Sequence, residues 1–518
     1  MRKRVYVLIL CILVIVSIAI YARVHTNTIA KRAARWSFFF EEYRVQELLQ
    51  RLSREYKPSR YAITNADVLT MKDEGVCRRC TVLVENSRIL AMGDPGSTPV
   101  PDGFLEINGA GKILMPGLVD MHVHDLVSSS QHLLNLARGV TTVRDMDGFS
   151  WLLKQREQVR ENRLLAPNLY VAGHILNASP MGMYATVIKT AEEGRETVRR
   201  QKREGYDFIK VHNNMPLEIY SAILDEAARQ KIDVVGHIPH QVTILQAVQM
   251  GQRTFEHFKG YILDANLTLT TENYVEVTRN SSAWNCPTLY TYRMNLRGEE
   301  AKKLLSSEEM RYVSWRDKEE WQALAREAPE AQQQNILPMS KKIMHDLIPV
   351  TNRFIAGTDS GGGYPFMVPG FSLQEELKML KESGLTPYRT LQAATIHAAQ
   401  AMGLESEFGT IGPGKRADMI LLGGNPMEDL NNLASPEGVS VRGIWLGRKE
   451  LEGILKEIEG IYNPGPNDRN LNPPDRDAIR KLVTEMHALA REGFIFRQHD
   501  LEEIQSLLSQ EGIPKPAL

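Results

Sequence analysis

The sequence predicts an α/β protein built around a (β/α)8 barrel, with a composite β-sandwich beside it and a transmembrane helix at its N-terminus. The barrel is predicted because short apolar runs alternate with amphipathic stretches, mostly about 20 to 40 residues apart. With 518 residues, the chain also exceeds the usual size of one core, so accessory segments are expected. The eight candidate strands are LVDMHVH, VTTVRD, LYVAGH, DFIKVH, DVVGH, RTFEH, AWNCPTL and RFIAGTD.

The N-terminus carries a long apolar segment. After the basic MRKR, residues 5–22 contain no charged side chain, and this run is long enough to span a hydrocarbon core. We expect residues 1–22 to be an uncleaved membrane anchor, with a cleaved signal peptide as the alternative. The basic residues 2–4 favour an extracytoplasmic catalytic domain, although further Lys and Arg between residues 23 and 35 weaken this bias.

Segments with a different residue pattern flank the predicted barrel. Residues 23–58 are charged and helix-like, as expected of a stalk or of a helix packed on the main body. Residues 59–116 and 404–450 contain short β-rich runs separated by Gly, Asn and Asp turns. Together these two segments are predicted to form one β-sandwich.

The barrel itself is predicted to span residues 117–403, interrupted by a charged helical insertion at about 297–345. A helical tail follows at 451–518, and the sequence suggests no function for it. The net charge of −1 argues against a nucleic-acid partner.

Four cysteines are too few for a disulfide framework. Cys77 and Cys80, in GVCRRCTV, either form a disulfide in an oxidising compartment or remain two free thiols on a hairpin. A zinc knuckle would need a second cysteine pair.

The stretch GLVDMHVHD, residues 117–125, contains His122 and His124 at a spacing of two. In a β-strand this spacing directs both imidazoles to one face, where they could hold a divalent metal. Taken singly, each candidate ligand in this chain also fits a plain structural role. Together they predict a metal centre, because barrel active sites are built at the C-terminal ends of the strands, where further candidates follow: Lys210, His237, His257 and Asp359.

Lys210 requires a separate interpretation. The alternation in DFIKVH directs Phe208, Lys210 and His212 to the barrel interior, and Ile209 and Val211 to the helices. A buried ammonium is costly. Carbamylation by carbon dioxide would turn it into an anionic bridge between two metals, which we favour. The alternative is an unmodified lysine that binds a substrate anion beside a single metal.

Several motifs resemble the amidohydrolase superfamily, closest to its imidazolonepropionase- and prolidase-like branch. They are PGLVDMHVH, GVTTVRD, DFIKVH, VVGHIP, FEH, AGTDSG and GTIGPGKRADMILL, within about residues 59–450. The resemblance implies a metal-dependent barrel beside a composite β-sandwich. It further implies that His122, His124 and Asp359 bind one metal, that His237 and His257 bind a second, and that N-carboxylated Lys210 bridges the two.

This centre predicts a hydrolase acting on carbon–nitrogen bonds. A hydroxide bridging two divalent ions would be the nucleophile, and Asp359 would pass its proton to the departing amine. Zinc is expected because the ligands are rich in imidazole. The first expected substrate is a dipeptide or an N-acyl amino acid, and the second is a cyclic amide.

Other functions are compatible with the same centre. A deaminase, or a hydrolase of phosphotriesters or lactones, could use these metals, although Lys210 argues against a one-metal deaminase. A non-catalytic membrane-tethered binding protein is disfavoured because all six expected site residues are present. A small-molecule substrate and membrane attachment are expected as partners, and a homo-oligomer is left open.

Substrate contacts are expected in the loops that follow the strands. After strand 7, YTYRMN offers Tyr290 and Arg293. Arg293 could pair with a substrate carboxylate, and an ordinary surface salt bridge is an equal alternative. Tyr292 lies in the same stretch. Three further histidines near strand ends are not expected to be ligands, and only the last of them is expected to contact substrate: His174, His212 and His240.

Overall fold

The computed structural model describes residues 41–124, 128–181, 185–262, 271–327, 336–361 and 364–463. The membrane anchor predicted at residues 1–22 lies outside these ranges, as do part of the expected stalk and the tail beyond residue 463. Among the described residues, no helix combines the length and the apolar character needed to cross a bilayer.

The centre of the molecule is a closed barrel of eight parallel strands, as the sequence predicts. Parallel pairing runs within two groups of strands. Strand 3 meets strand 4 through the Ala172–Phe208 bridge, and strand 7 meets strand 8 through Asn285–Phe354. Strand 8 returns to strand 1, where Asp359 N donates to the carbonyl of His122 at 2.7 Å. Strands 1 to 7 are Leu118–His124, Val140–Asp145, Asn168–Val171, Phe208–Val211, Asp233–Gly236, Thr254–Glu256 and Trp284–Cys286. Strand 8 is regular only at Ser360–Gly361, and residues 353–359 before it fill the eighth position of the barrel through single contacts such as the bridge at Phe354.

Helices connect these strands and cover the outside of the barrel. Local signals set their ends: Thr190 caps one helix by accepting from Glu193 N at 3.2 Å, and Gly205 ends that helix with φ +92°. Short strands lie at Ile175–Asn177 and Ala185–Val187. The helices that follow the strands are Ser130–Ala137, Ser150–Arg160, Ala191–Glu204, Leu217–Gln230, Ile244–Gln249, Thr271–Arg279, Ile336–Leu347, Phe371–Glu382, Pro387–Ala393 and Ile396–Ala401.

The segment expected as an insertion after strand 7 is helical in its described part. It contains the helices Gly298–Leu305 and Trp315–Leu324, separated by the 3-10 helix Glu308–Tyr312. A further 3-10 helix, Leu289–Asn295, precedes the insertion directly and carries cavity residues described below.

Strand 4 illustrates how residue alternation divides the core. Ile209 and Val211 are buried in the main apolar cluster, which includes helix residues such as Ile219 and Ile223. Phe208 belongs to a second cluster that also contains Val235 of strand 5. Lys210 is the next residue of strand 4 that faces inward. It therefore lies directly after this inner apolar cluster along the strand.

Both flanking segments contribute to one mixed eight-stranded sheet beside the barrel. Strand Tyr61–Leu69 holds it together, because it pairs with Leu105–Asn108 along its first half and with Ile113–Pro116 along its second half. The change of partner falls around Asn65, whose φ is +58°. The remaining strands are Val76–Glu85, Arg88–Gly93, Met419–Leu422, Gly438–Val441 and Ile444–Gly447, and the 3-10 helix Leu430–Leu433 lies between two of them.

A helix over residues 41–55 packs on the body of the protein, so this part of the expected stalk follows the packed-helix interpretation. Leu48 and Leu49 are buried in the main cluster. Arg51 pairs at 2.6 Å with Glu457 of the helix Arg448–Tyr462.

Of the two alternatives for Cys77 and Cys80, the structure contains the disulfide. Both cysteines lie on one strand, on either side of Arg79, whose φ is +52°. Asp67 on the neighbouring strand accepts from Arg79 N at 2.9 Å, which anchors this bulge.

Candidate active site

A cavity of about 290 Å³ opens at the C-terminal ends of the barrel strands, and its lining contains all six predicted metal-site residues. Side chains from barrel strands and from the segments that follow them therefore converge on one space. The rest of the lining consists of Asp147, Ile175, Met181, His212, Asn213, Lys259, Thr291, Tyr292, Met294 and Tyr364.

The strand 1 histidines meet the carboxylate of strand 8. Asp359 Oδ1 lies 3.3 Å from His122 Nε2 and 3.0 Å from His124 Nε2. One potential ligand atom from each of these three residues lies within 4.8 Å of the others. Lys210 Nζ is 3.4 Å from His122 Nε2 and is fully buried.

His237 and His257 form the other side of the same cluster. Their ring centroids are 4.9 Å apart, and the His257 ring is 4.6 Å from that of His122. His257 Nε2 lies 4.0 Å from Asp359 Oδ2. Four imidazoles, one carboxylate and one amine therefore occupy a single buried site.

Each of three imidazoles is held by its Nδ1 atom, which leaves Nε2 for a ligand. His122 Nδ1 donates to Glu256 Oε2 at 2.8 Å, and His237 Nδ1 donates to Asn213 Oδ1 at 2.7 Å. His257 Nδ1 lies 2.6 Å from Thr288 Oγ1, whose own proton goes to the carbonyl of Pro287. Because a carboxylate only accepts and this hydroxyl is already donating, both rings must be protonated at Nδ1.

A layer of fully buried polar groups lies behind His122. Arg144 Nη2 donates to Glu256 Oε1 at 2.7 Å, and Thr254 Oγ1 donates to the same oxygen at 2.5 Å. Arg144 Nε also donates to the carbonyl of Met121 at 2.7 Å. We call Arg144, Thr254 and Glu256 the closed layer. It fixes the orientation of His122 in the way that partners of metal-bound histidines do.

Electrostatics favour the protonation states that metal ligands need. Burial and the surrounding positive groups lower the pKa of His237 and of His257 well below 6.5. Burial acts to raise the pKa of Asp359, yet His257, His122 and His124 hold that pKa well below its usual range. Burial also lowers the pKa of Lys210.

Asp147 is a second carboxyl in the cavity wall, and it follows strand 2. Its Oδ1 atom has no hydrogen-bond partner among the described residues, although the residue is buried. Burial raises its pKa to about 8, although the positive charge of Lys210 acts to lower that pKa. An acid in this state can donate a hydrogen bond into the cavity at neutral pH.

The three residues predicted to contact substrate are not part of the cavity lining. Tyr290 is buried, and its backbone N–H donates to Glu376 Oε2 at 2.7 Å. Arg293 stacks on the Tyr290 ring at 4.7 Å and pairs with Glu375 at 3.7 Å, which corresponds to the salt-bridge alternative. His240 is exposed. The 3-10 helix that carries Tyr290 and Arg293 presents Thr291, Tyr292 and Met294 to the cavity instead.

Sequence reasoning missed several residues of the site, and two of these had a usable signal. Arg144 and Glu256 are charged residues inside the short strand motifs VTTVRD and RTFEH, where a charge requires a buried partner. Lys259, Asn213 and Thr288 follow strand ends, and nothing in their sequence context distinguishes them from ordinary loop residues.

These residues fit one or more divalent metal ions. The site offers imidazole Nε2 atoms whose opposite ring atoms are already bonded, together with an ionised carboxylate. Around them lies enough space for small ligands.

Known proteins resemble this chain over most of its length. The profile of the amidohydrolase family matches residues 113–446. Ochratoxinase from Aspergillus niger is 23% identical over 480 residues, covering 80% of this chain and 90% of that protein. Imidazolonepropionase from Streptococcus sanguinis is 24% identical over 394 residues, covering 68% of this chain and 86% of that protein.

Solved structures share the fold. The crystal structure of a putative prolidase from Bifidobacterium longum superposes with a TM-score of 0.61 at 23% identity. It covers 77% of this chain and 99% of that one. The prediction of a hydrolase acting on carbon–nitrogen bonds is confirmed, and the chain belongs to the amidohydrolase family.

Proposed function

We propose that the protein hydrolyses an amide bond in a small substrate, a dipeptide or an N-acyl amino acid, at a centre of two divalent metal ions. One observation carries the proposal. His122, His237 and His257 are each fixed through Nδ1 while their Nε2 sides face a shared cavity beside Asp359. This preorganisation suits metal coordination and has no evident purpose in a purely structural core.

His122, His124 and Asp359 would hold one ion, and His237 and His257 the other. Zinc suits this imidazole-rich set. Bound divalent ions supply an activated water at neutral pH and polarise the scissile carbonyl.

Lys210 is proposed to be N-carboxylated and to lie between the two ions. In this step, the amine lone pair forms a bond to the carbon of carbon dioxide, and the amine loses a proton to solvent. The product is an anion, which suits a position that is fully buried among imidazoles and 3.4 Å from His122 Nε2. A permanent ammonium at this position would oppose cation binding.

Asp359 is proposed to move the proton. Its carboxylate would accept a proton from the attacking water and deliver it to the departing nitrogen, so that the amine leaves neutral. Thr291 Oγ1 donates to Asp359 Oδ2 at 2.9 Å and keeps the carboxylate directed toward the cavity.

A cyclic amide is the second candidate substrate. It is supported by the similarity to imidazolonepropionase over 68% of this chain. A ring-opening reaction would need the same nucleophile and the same proton transfer.

The test combines metal analysis with a hydrolysis screen across dipeptides, N-acyl amino acids and cyclic amides. We expect about two metal equivalents per chain and turnover of at least one amide class. Asp359→Asn is expected to lower kcat by roughly a hundredfold or more while much of the bound metal stays, because general acid–base catalysis contributes that much. Full activity of this variant would refute the proton-transfer role, and a metal-free, inactive wild-type protein would refute the proposed function.

A further inference from the structure

Lys259 is a cation in the cavity wall that neither the metal site nor the proton transfer uses. It lies two residues after His257 and is half-buried. It lines the same cavity as the proposed ligands His237 and His257. A small substrate bound in this cavity is therefore within reach of the Lys259 side chain.

The backbone after strand 6 holds Lys259 in this position. His257 and Phe258 both have left-handed backbone conformations, with φ of +58° and +52°. Lys259 N then donates to the carbonyl of Glu256 at 3.0 Å, closing a tight turn. The fully buried ring of Phe258 packs against Tyr261 at 5.5 Å, so Phe258 anchors the turn while Lys259 stays at the cavity.

No described residue neutralises this ammonium directly. Its side chain forms no hydrogen bond or ion pair within the described ranges, and the one charge that acts on it appreciably is the carboxylate of Asp359. That carboxylate is already engaged with His122, His124 and Thr291.

Lys210, the other amine in the described cavity lining, is assigned to the metal site, and two nearby arginines differ from Lys259 because each has a bonded anion. Arg144 is bonded to Glu256 within the closed layer, and Arg293 pairs with Glu375 outside the cavity. A half-buried ammonium without a bonded anion is costly, and an anionic group on a ligand would remove much of that cost.

We propose that Lys259 binds the free α-carboxylate of the substrate, so that the enzyme acts on N-acyl amino acids or on peptides at their C-terminal residue. This inference rests on the proposed amide hydrolysis and specifies which amides are accepted. The cavity wall also contains Ile175, Met181 and Met294, which suit an apolar amino-acid side chain.

The test compares Lys259→Met and Lys259→Arg with the wild-type protein. Each enzyme is assayed with N-acyl amino acids and dipeptides, and with the same compounds amidated at the C-terminus. The matched control is Lys154→Met, on the exposed face of helix Ser150–Arg160. Metal content and melting temperature are measured for every variant.

The wild-type protein should prefer free carboxylates over their amides by at least about tenfold in kcat/KM. Lys259→Met should remove this preference by raising KM for the free acids much more than for the amides. Lys259→Arg should keep part of the preference, and Lys154→Met should behave as wild type. Equal rates with acid and amide in the wild-type protein, or an equal loss of both in Lys259→Met, would overturn the proposal.

A binding measurement separates this inference from the proposed function. Calorimetry with a free amino acid and with its amide, on wild-type protein and Lys259→Met, reports carboxylate recognition without turnover. If wild type hydrolyses no amide yet binds the free acid in a Lys259-dependent way, the proposed reaction fails and the carboxylate site stands. If turnover is present but binding is the same in both proteins, the carboxylate site fails and the reaction stands.

Discussion

The two sides of His122 provide an instructive comparison. On its Nδ1 side is the closed layer, in which Arg144, Thr254 and Glu256 are wholly buried and bonded to one another. On its Nε2 side is the cavity, where Lys259 and the Oδ1 atom of Asp147 have no bonded partner among the described residues. Both regions are rich in polar groups, and they differ in whether those groups have bonded partners within the described part of the protein.

We interpret this difference as one between groups that maintain the fold and groups that are available to a ligand. A buried ion pair that is complete within the chain fixes a geometry and has no capacity left for a ligand. A polar group in a cavity that has no hydrogen-bond partner in the protein can be satisfied by a ligand. The predictions below test this division, beginning with the largest expected effect.

Glu256→Gln tests the closed layer and should cause the largest loss of stability. It leaves the guanidinium of Arg144 buried without its counter-charge, which costs about 3–5 kcal/mol in free energy of unfolding. Denaturant unfolding of the purified variant measures this. Glu437→Gln, which breaks the partly exposed pair with Arg448, is the control and should cost about 1 kcal/mol or less. If both variants lost a similar free energy of unfolding, the closed layer would not have the structural role assigned to it here.

Lys210→Ala tests the cavity side through metal content. If Lys210 bridges two ions, its removal should cost at least one metal equivalent per chain, measured by elemental analysis. Short carboxylic acids should then restore part of the activity by replacing the carbamate. Lys259→Met serves as the control, because that ammonium binds no ion and its variant should keep a full complement. Unchanged metal in Lys210→Ala would be inconsistent with a bridge.

Glu376 is a buried carboxyl that holds the backbone of the 3-10 helix Leu289–Asn295 beside the cavity, and it gives a smaller, pH-dependent effect. Burial raises its pKa to about 8, although it accepts hydrogen bonds from the backbone of Leu289 and Tyr290. Since the folded side chain keeps its proton while the unfolded one ionises near 4.5, this contribution to stability is present at low pH and is lost as pH rises through about 8.

Glu376→Gln should therefore stabilise the protein relative to wild type more at pH 9 than at pH 5. The expected difference is on the order of 2 °C in melting temperature. Glutamine keeps the acceptor oxygen, so the bond from Tyr290 N can persist. The neighbouring variant Glu375→Gln, at a half-exposed position, is the control and should shift the melting temperature equally at both pH values. A pH-independent effect of Glu376→Gln would mean that Glu376 is ionised in the folded protein.

The sequence predicted most of what lies on barrel strands. Alternation placed Lys210 on the inner face and Ile209 on the outer face, because a strand allows only two directions for its side chains. Strand 8 shows a limit of this reasoning, since residues 353–359 run beside strand 1 with Asp359 in a left-handed conformation at φ +66°. The carboxylate reaches the site through this turn and not through regular strand geometry.

Substrate contacts were beyond this kind of prediction. Tyr290, Tyr292 and Arg293 lie within four residues of one another, yet only Tyr292 lines the cavity. Glu376 contributes to this arrangement because its carboxyl oxygen accepts a hydrogen bond from Tyr290 N. Glu376 lies on a helix 86 residues further along the chain. No local pattern contains that contact.

The two left-handed residues at His257 and Phe258 have a practical consequence. Because the buried Phe258 ring fixes the turn, the side chain at position 259 contributes little to holding the backbone in place. If Lys259 sets a preference for anionic substrates as proposed, a substitution at this one position would alter that preference and leave the proposed metal ligands in place. Redesign toward neutral or cationic amides would begin at this residue.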